Sequence, residues 1–120
     1  AATLALDATA TATISGETLT FTGAVTNAGT TDNALNFSAS TGIITLTSLA
    51  GAGKTRFGAA ADITGGVSEG YITVVGALGA NITGGTVTAG SITGNVSAGT
   101  VSAATLTGNV SGGAVTLTDY

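Results

Sequence analysis

Apolar and polar residues alternate along the N-terminal half of the chain. In residues 3–14 (TLALDATATATI) apolar side chains occupy every second position, and threonines fill the opposite phase from residue 9 to residue 13. A period of two is typical of a β-strand, and the same alternation returns in residues 18–26 and 42–49. The stretch 27–33 (NAGTTDN) has the composition of a turn. Residues 1–62 are therefore predicted to form long alternating strands, without the 3.6-residue period of a helix.

A shorter spacing governs residues 63–120. The motif ITGG occurs at Ile63 and at Ile82, and ITGNVS at 92–97 returns as LTGNVS at 106–111. One aliphatic residue recurs every four or five positions, and the series comprises Ile82, Val87, Ile92, Val96, Val101, Leu106, Val110 and Val115. Short strands that each place one or two aliphatic side chains in a narrow core, with small residues at the corners, build a β-solenoid.

These two patterns predict one all-β domain over residues 1–120. We expect a single β-solenoid of about six coils, each with roughly 18–20 residues. The alternative is a β-sandwich with strand donation between subunits. There an extended segment such as 3–14 or 115–120 would complete the sheet of a neighbour.

The composition excludes most of the side chains that a catalytic or metal site uses. Only 7% of the residues are charged, against about 25% in an ordinary domain. Because histidine and cysteine are absent, the chain lacks the usual metal ligands, the commonest general base and the thiol nucleophile. The acids are scattered, and Asp32, Asp62 and Asp119 lie in no calcium-loop motif. We therefore predict no enzyme activity, no cofactor and no metal site.

Charge and hydropathy also restrict the partners and the compartment. With two cations and a net charge of −4, the chain cannot present the basic surface that nucleic acids require. No apolar run approaches the ~18 residues of a membrane span. Low charge combined with small and β-branched residues is typical of secreted, surface-exposed β-proteins. The predicted location is therefore secreted or at the cell surface.

Two stretches resemble known rod-forming proteins. Residues 19–49 (LTFTGAVTNAGTTDNALNFSASTGIITLTSL) and 92–117 (ITGNVSAGTVSAATLTGNVSGGAVTL) are similar to passenger regions of filamentous-haemagglutinin-type adhesins and autotransporters. The second stretch also resembles the polymerising β-helices of bactofilins, which are usually richer in charge. The resemblance implies a right-handed β-helix with a structural role, and it transfers no functional residue.

The stretch GAGKT at 51–55 looks like part of a phosphate-binding loop. The complete loop has the pattern G-x-x-x-x-G-K-[ST] between a strand and a helix. Here Ser48 stands where the first glycine is required, and no helical period follows. We therefore interpret the stretch as a surface turn that carries the two cations. Inter-subunit or intrachain ion pairs are expected at Lys54 and Arg56, with Asp62 and Glu69 as the acids within the chain.

Two polar patterns have alternative interpretations. Asparagine begins an N-x-S/T sequon at Asn36, Asn81, Asn95 and Asn109. These residues are candidates for glycosylation, and asparagine is equally suited to solenoid corners.

Threonine recurs as Thr-x-Thr at 9–13, 18–22, 45–47, 86–88, 105–107 and 116–118. Threonine columns on a flat face can bind ice, but the uneven spacing of these runs favours ordinary outward-facing strand positions.

The predicted architecture leads to a predicted function. A solenoid has two open ends of unpaired backbone, and neither terminus carries a capping helix or a proline. An uncapped coil stacks head to tail on another copy, which produces a filament. The expected function is a structural subunit of an extracellular surface filament. The alternatives are a rod segment of a large secreted adhesin, and an ice- or glycan-binding solenoid module with cell-surface contacts.

Overall fold

The chain forms a parallel β-solenoid. The structure, a computed structural model, describes residues 4–7, 9–14, 18–39 and 41–118, which contain strands and no helix. The strands are β1 (Leu4–Leu6), β2 (Ala12–Thr13), β3 (Leu19–Asn27), β4 (Leu35–Phe37), β5 (Ile43–Ala50), β6 (Lys54–Phe57), β7 (Ala60–Ile63), β8 (Tyr71–Gly79), β9 (Thr86–Thr93), β10 (Thr100–Thr107) and β11 (Ala114–Leu117). They pair in parallel and wind through about six turns. The solenoid prediction is confirmed, and the β-sandwich alternative is wrong because a sandwich pairs its strands antiparallel.

Each coil of the C-terminal half has three sides. Side A stacks β2, β4, β6, the N-terminal parts of β8, β9 and β10, and then β11. Side B stacks residues 19–21, 43–46, 60–63, 77–79, 91–93 and 105–107. On the third side, single bridges join Val67, Ile82, Val96 and Val110. The aliphatic residues that recur every four or five positions in the sequence therefore lie on the third side, side A and side B in turn.

The coils shorten along the chain. At the C-terminal end Val87 pairs with Val101 and Val101 with Val115, so a coil there has 14 residues, the same offset that separates Asn95 from Asn81. Near the N-terminus Leu19 pairs with Ile44, 25 positions later. The expected coil of roughly 18–20 residues is therefore wrong at both ends.

The inward positions of side A change in size along the chain. The strand register stacks one such position per coil, and the column runs Phe37, Phe57, Val74, Ala89, Ala103, Leu117. The rings of Phe37 and Phe57 are buried and stack 5.2 Å apart, only 5° from parallel. Side chains therefore fall in size from phenylalanine to alanine along this column, and Leu117 ends it with a larger residue. The extra residues of the longer coils lie at corners, where the register shifts between Phe21 and Ala24 and between Val74 and Ala77.

Corners between strands depend on glycine where one coil lies close to the next. Gly94 has φ of 152°, and Gly108 has φ of 146°. A side chain at Gly94 would collide with the Ala80 carbonyl oxygen, and one at Gly108 with the Gly94 carbonyl oxygen. Glycine therefore recurs one coil apart because the backbones touch at this corner.

The N-terminal segment departs from its prediction. Residues 3–14 were expected to form one strand, but the described part contains β1 and β2, separated by a turn in which the Ala10 N–H donates to the Asp7 carbonyl (3.1 Å). The alternation of side chains is real, but it spans two sides of a coil.

Within the residues that the structure describes, no helix is long and apolar enough to cross a membrane.

Candidate functional site: the GAGKT turn and the Tyr71 recess

The GAGKT stretch is a turn folded around an asparagine of the preceding coil. Asn27 ends β3 and is only 1% exposed. Its side-chain amide donates to the Lys54 carbonyl (2.9 Å) and to the Thr55 hydroxyl (2.8 Å). Its Oδ1 accepts the Gly29 N–H (2.9 Å). These bonds satisfy a polar side chain that would otherwise be costly to bury, and they join the turn to the coil before it.

Close packing against Asn27 accounts for the glycines of the turn. Gly51 has φ of 98°, in the left-handed region that glycine adopts without strain. A Cβ on Gly53 would lie 2.6 Å from the Asn27 carbonyl oxygen and 2.7 Å from its Oδ1. No side chain fits at that distance, so the glycine pattern reflects packing between coils.

Three backbone amides of the turn already have acceptors within the chain. The amides of Gly53 and Lys54 donate to carbonyl oxygens of segment 27–29, at 2.8 and 3.1 Å. The Gly51 N–H donates to a carboxylate oxygen of Glu69 (3.0 Å). A phosphate loop needs free amides ahead of a helix, whereas here the strand β6 follows. The turn therefore lacks the geometry of a nucleotide site.

Lys54 forms an ion pair with Asp32. Its Nζ lies 2.8 Å from Asp32 Oδ1, and the two side chains are 39% and 87% exposed. The hydrogen bond from Lys54, followed by its positive charge, lowers the pKa of Asp32 below 3.8. The same hydrogen bond and then the carboxylate charge raise the pKa of Lys54 above 10.5. Both groups are thus charged at neutral pH, but at this exposure the pair contributes little to stability.

Beside this ion pair lies the Tyr71 recess, an open concavity of about 430 Å³. It is lined by Asp32, Asn33, Lys54, Thr55, Tyr71 and Thr73. The Tyr71 side chain is 53% exposed, and the Lys54 ammonium lies 5.7 Å from the centre of its ring. Asn33 has φ of 56°, a left-handed conformation that is uncommon outside glycine. The recess thus combines an aromatic face, both charges of an ion pair and hydroxyl groups.

The expected intrachain partners of the cations differ from those observed. Lys54 pairs with Asp32, and Glu69 instead accepts the Gly51 amide. Arg56 lies on side A in register with Thr73, whereas Asp62 lies on side B in register with Gly79. Across the described ranges, Lys54–Asp32 is the sole ion pair. The expected inter-subunit pairs of these residues stay a prediction.

Three of the four sequon asparagines form a ladder along the axis. Asn81 Oδ1 accepts the Asn95 N–H, and Asn95 Oδ1 accepts the Asn109 N–H, each at 2.9 Å. All three are exposed. Asn36 is half-buried in β4, where its Oδ1 accepts the Ser38 N–H (2.8 Å). The corner interpretation of asparagine thus has a physical basis, and glycosylation stays a prediction.

Hydroxyl groups align on side A, and on side B the Thr-x-Thr runs 18–22 and 45–47 meet where Thr20 lies in register with Thr45. Thr86 and Thr88 lie in register with Thr100 and Ser102 of the next coil. Ser102 in turn lies in register with Thr116. The run at 105–107 lies on side B, above Ser91 and Thr93. The column of Thr88, Ser102 and Thr116 therefore mixes threonine and serine, which a Thr-x-Thr pattern alone does not predict.

Sequence reasoning did not assign Asn27, Asp32 or Tyr71 to the site. All three lie at the turn because of register between coils that the local sequence does not reveal.

Within the described part of the chain, no group of three or more acidic, histidine or cysteine residues could hold a metal ion, and Asp119 lies outside that part. Comparison with protein-family models, curated proteins and solved structures finds no match for this chain.

Proposed function

We propose that this chain is a structural subunit of an extracellular surface filament, in which copies stack end to end and extend one another's sheets. The observation that carries the proposal is the unpaired edge of the last described coil, formed by residues 105–107, Val110 and β11 and called the open end below. β11 pairs with β10 alone, and residues 105–107 pair with β9 alone, among the strands that the structure describes. Unpaired strand edges are templates for another chain.

The apolar core continues to this open end. Val110 is the last residue of the bridged column Val67–Ile82–Val96, whose other members are buried, and it is 50% exposed. Leu117 pairs with the buried Ala103 and is 36% exposed. These side chains occupy core positions that a further coil would cover. A second copy stacked on this end would remove them from water, at roughly 25 cal/mol per Å² of apolar surface.

Head-to-tail stacking also preserves strand direction. At the other end β1 pairs with β3 alone and β2 with β4 alone, again among the described strands. Because all the strands are parallel, translation along the axis brings β11 of one copy beside β2 of the next in the same direction. Coils of different length already pair within the chain, since their extra residues lie at the corners. The difference in coil length between the two ends is therefore compatible with stacking.

The test compares two exposed valines. Val110→Asp places a charge on the stacking end, whereas Val75→Asp, a control at a 59% exposed position, places it on the lateral corner of β8. We expect the parent chain and Val75→Asp to form fibres with a ~4.8 Å meridional repeat in electron microscopy and fibre diffraction, and Val110→Asp to stay dispersed. A parent chain that stays monomeric at every concentration would overturn the proposal, as would fibres without that repeat.

Two other functions have support. The same open end suits a rod segment of a large secreted adhesin, in which the next coil belongs to the same polypeptide. Monomeric behaviour of residues 1–120 together with an extended reading frame would favour it.

The hydroxyl columns of side A support ice binding, because threonine and serine recur in register from coil to coil. Thermal hysteresis that disappears in Thr88→Leu would favour that function.

A further inference from the structure

We propose that the Tyr71 recess binds a neutral saccharide, with the sugar ring against Tyr71 and its hydroxyl groups on Asp32 and Lys54. This inference is independent of filament assembly. It rests on the lateral side A surface, away from the open end of the solenoid.

The first argument concerns Tyr71. An aromatic side chain normally dominates burial, yet this ring points outward from side A and is 53% exposed. It is the only aromatic residue of the described ranges that is exposed, since Phe37 and Phe57 are buried and Phe21 packs on the core. The negative face of an aromatic ring attracts positively polarised groups. The C–H groups on one face of a pyranose ring meet that requirement.

The second argument concerns the ion pair. Asp32 Oδ1 and Lys54 Nζ lie 2.8 Å apart at the recess, so the site presents an acceptor and a donor side by side. A sugar diol has both roles, because each hydroxyl donates one hydrogen bond and accepts others. Hydrogen bonds to charged groups are stronger than neutral ones. The two charges cancel, which disfavours phosphate and other anions.

The third argument concerns the direction in which a longer ligand would extend. Tyr71 lies in register with Thr86, and Thr86 with Thr100. The parallel column of Thr73, Thr88 and Ser102 lies two residues further along the same strands. Hydroxyl groups therefore continue from the recess along the axis at the ~4.8 Å strand spacing. A saccharide chain would find hydrogen-bond partners in each successive coil.

Binding can be observed at Tyr71 itself. The chain has two tyrosines and no tryptophan, so Tyr120→Phe leaves Tyr71 as the sole source of tyrosine emission. In that background, carrying Val110→Asp to prevent stacking, we would titrate the methyl glycosides of glucose, galactose, mannose and N-acetylglucosamine. The readouts are tyrosine emission and the NMR shifts of the Tyr71 ring and the Asn33 and Thr73 amides. Inorganic phosphate serves as the anionic comparison.

The expected result is saturable binding of at least one glycoside at these signals, and none of phosphate. Followed at the Asn33 and Thr73 amides, Tyr71→Phe, which retains the ring, should change Kd by less than about twofold. Tyr71→Ala should raise Kd about tenfold, the loss of one aromatic contact. Asp32→Asn should also weaken binding, and it tests the site should Tyr71→Ala not fold. The proposal is overturned if no glycoside moves the Tyr71 signals at its solubility limit. It is equally overturned if Tyr71→Ala binds as the parent does, or if phosphate binds better than every glycoside.

Discussion

Replacement of Asn27 by alanine tests whether the GAGKT turn is held by a buried hydrogen-bond network. The substitution removes the acceptor of the Gly29 amide and the donor to the Thr55 hydroxyl and the Lys54 carbonyl. Thr55 is 2% exposed and Asn27 is 1% exposed, and the bond from the Gly29 amide is likewise buried. Each buried polar group without a partner costs about 1–3 kcal/mol. With two such groups fully buried, we expect Asn27→Ala to lower the free energy of unfolding by about 2–6 kcal/mol.

The measurement is equilibrium unfolding in urea, followed by circular dichroism and analysed by linear extrapolation. Asn36→Ala is the matched control, because Asn36 is half-buried and makes one local bond to the Ser38 amide. The control should lose no more than about 1 kcal/mol. Stability in solenoids is a sum over neighbouring repeats, so hydrogen exchange should place the loss in the coils that contain β3 and β6.

Thr55→Val separates the contributions within this network. It removes the hydroxyl that accepts from Asn27 but leaves the other two bonds, so it should be less damaging than Asn27→Ala. In the double variant the two losses should be less than additive, because the residues share one bond. Equal effects of Asn27→Ala and Asn36→Ala, or full additivity with Thr55→Val, would refute the network.

Three further predictions concern the core, a corner and the ion pair. Phe37→Ala should cost about 3–5 kcal/mol of unfolding free energy in a urea titration, and more than Phe21→Ala, because Phe37 is fully buried and stacks on Phe57; equal losses would contradict the stacked core. Gly94→Ala should lower the melting temperature far more than the exposed control Ser97→Ala, since a methyl group collides with the Ala80 carbonyl; similar melting temperatures would argue against close contact at that corner. NMR titration should give Asp32 a pKa below 3.8 that rises toward this value in Lys54→Met. Because the folded-state pKa is lowered, the contribution of the pair is present above pH 3.8 and is lost as the pH falls through the lowered pKa; an unchanged pKa in Lys54→Met would exclude the ion pair.

The fold follows closely from local sequence. Alternation in residues 3–49 and the aliphatic spacing after Ile63 are local properties, and they predict strands and a thin core whatever the detailed register. The C-terminal coil length was also encoded. The repeats at 92–97 and 106–111 lie 14 positions apart, the offset of the Asn81–Asn95 hydrogen bond. An averaged coil of roughly 18–20 residues hid that signal, because the N-terminal coils are longer.

The candidate site could not be predicted from local sequence as the fold was. Lys54 meets Asp32 across 22 positions and Asn27 meets Thr55 across 28. Whether such a sequence separation corresponds to one coil can be judged only when the number of residues at each corner is known. Lys54 and Asp32 are 39% and 87% exposed, and no repeat in the sequence fixes their spacing. Several acids, including Asp62 and Glu69, were therefore equally plausible partners for Lys54.

The sequence by itself thus determined the solenoid, its thin aliphatic core and the absence of histidine and cysteine chemistry, because each of these depends on composition or on spacing within one strand or coil. Only the tertiary structure decided the tapering coil length, the burial of Asn27 within the GAGKT turn and the meeting of Asp32, Lys54 and Tyr71. Those features depend on which residues of successive coils lie in register, and that register is set by the packing of side chains of different size against one another.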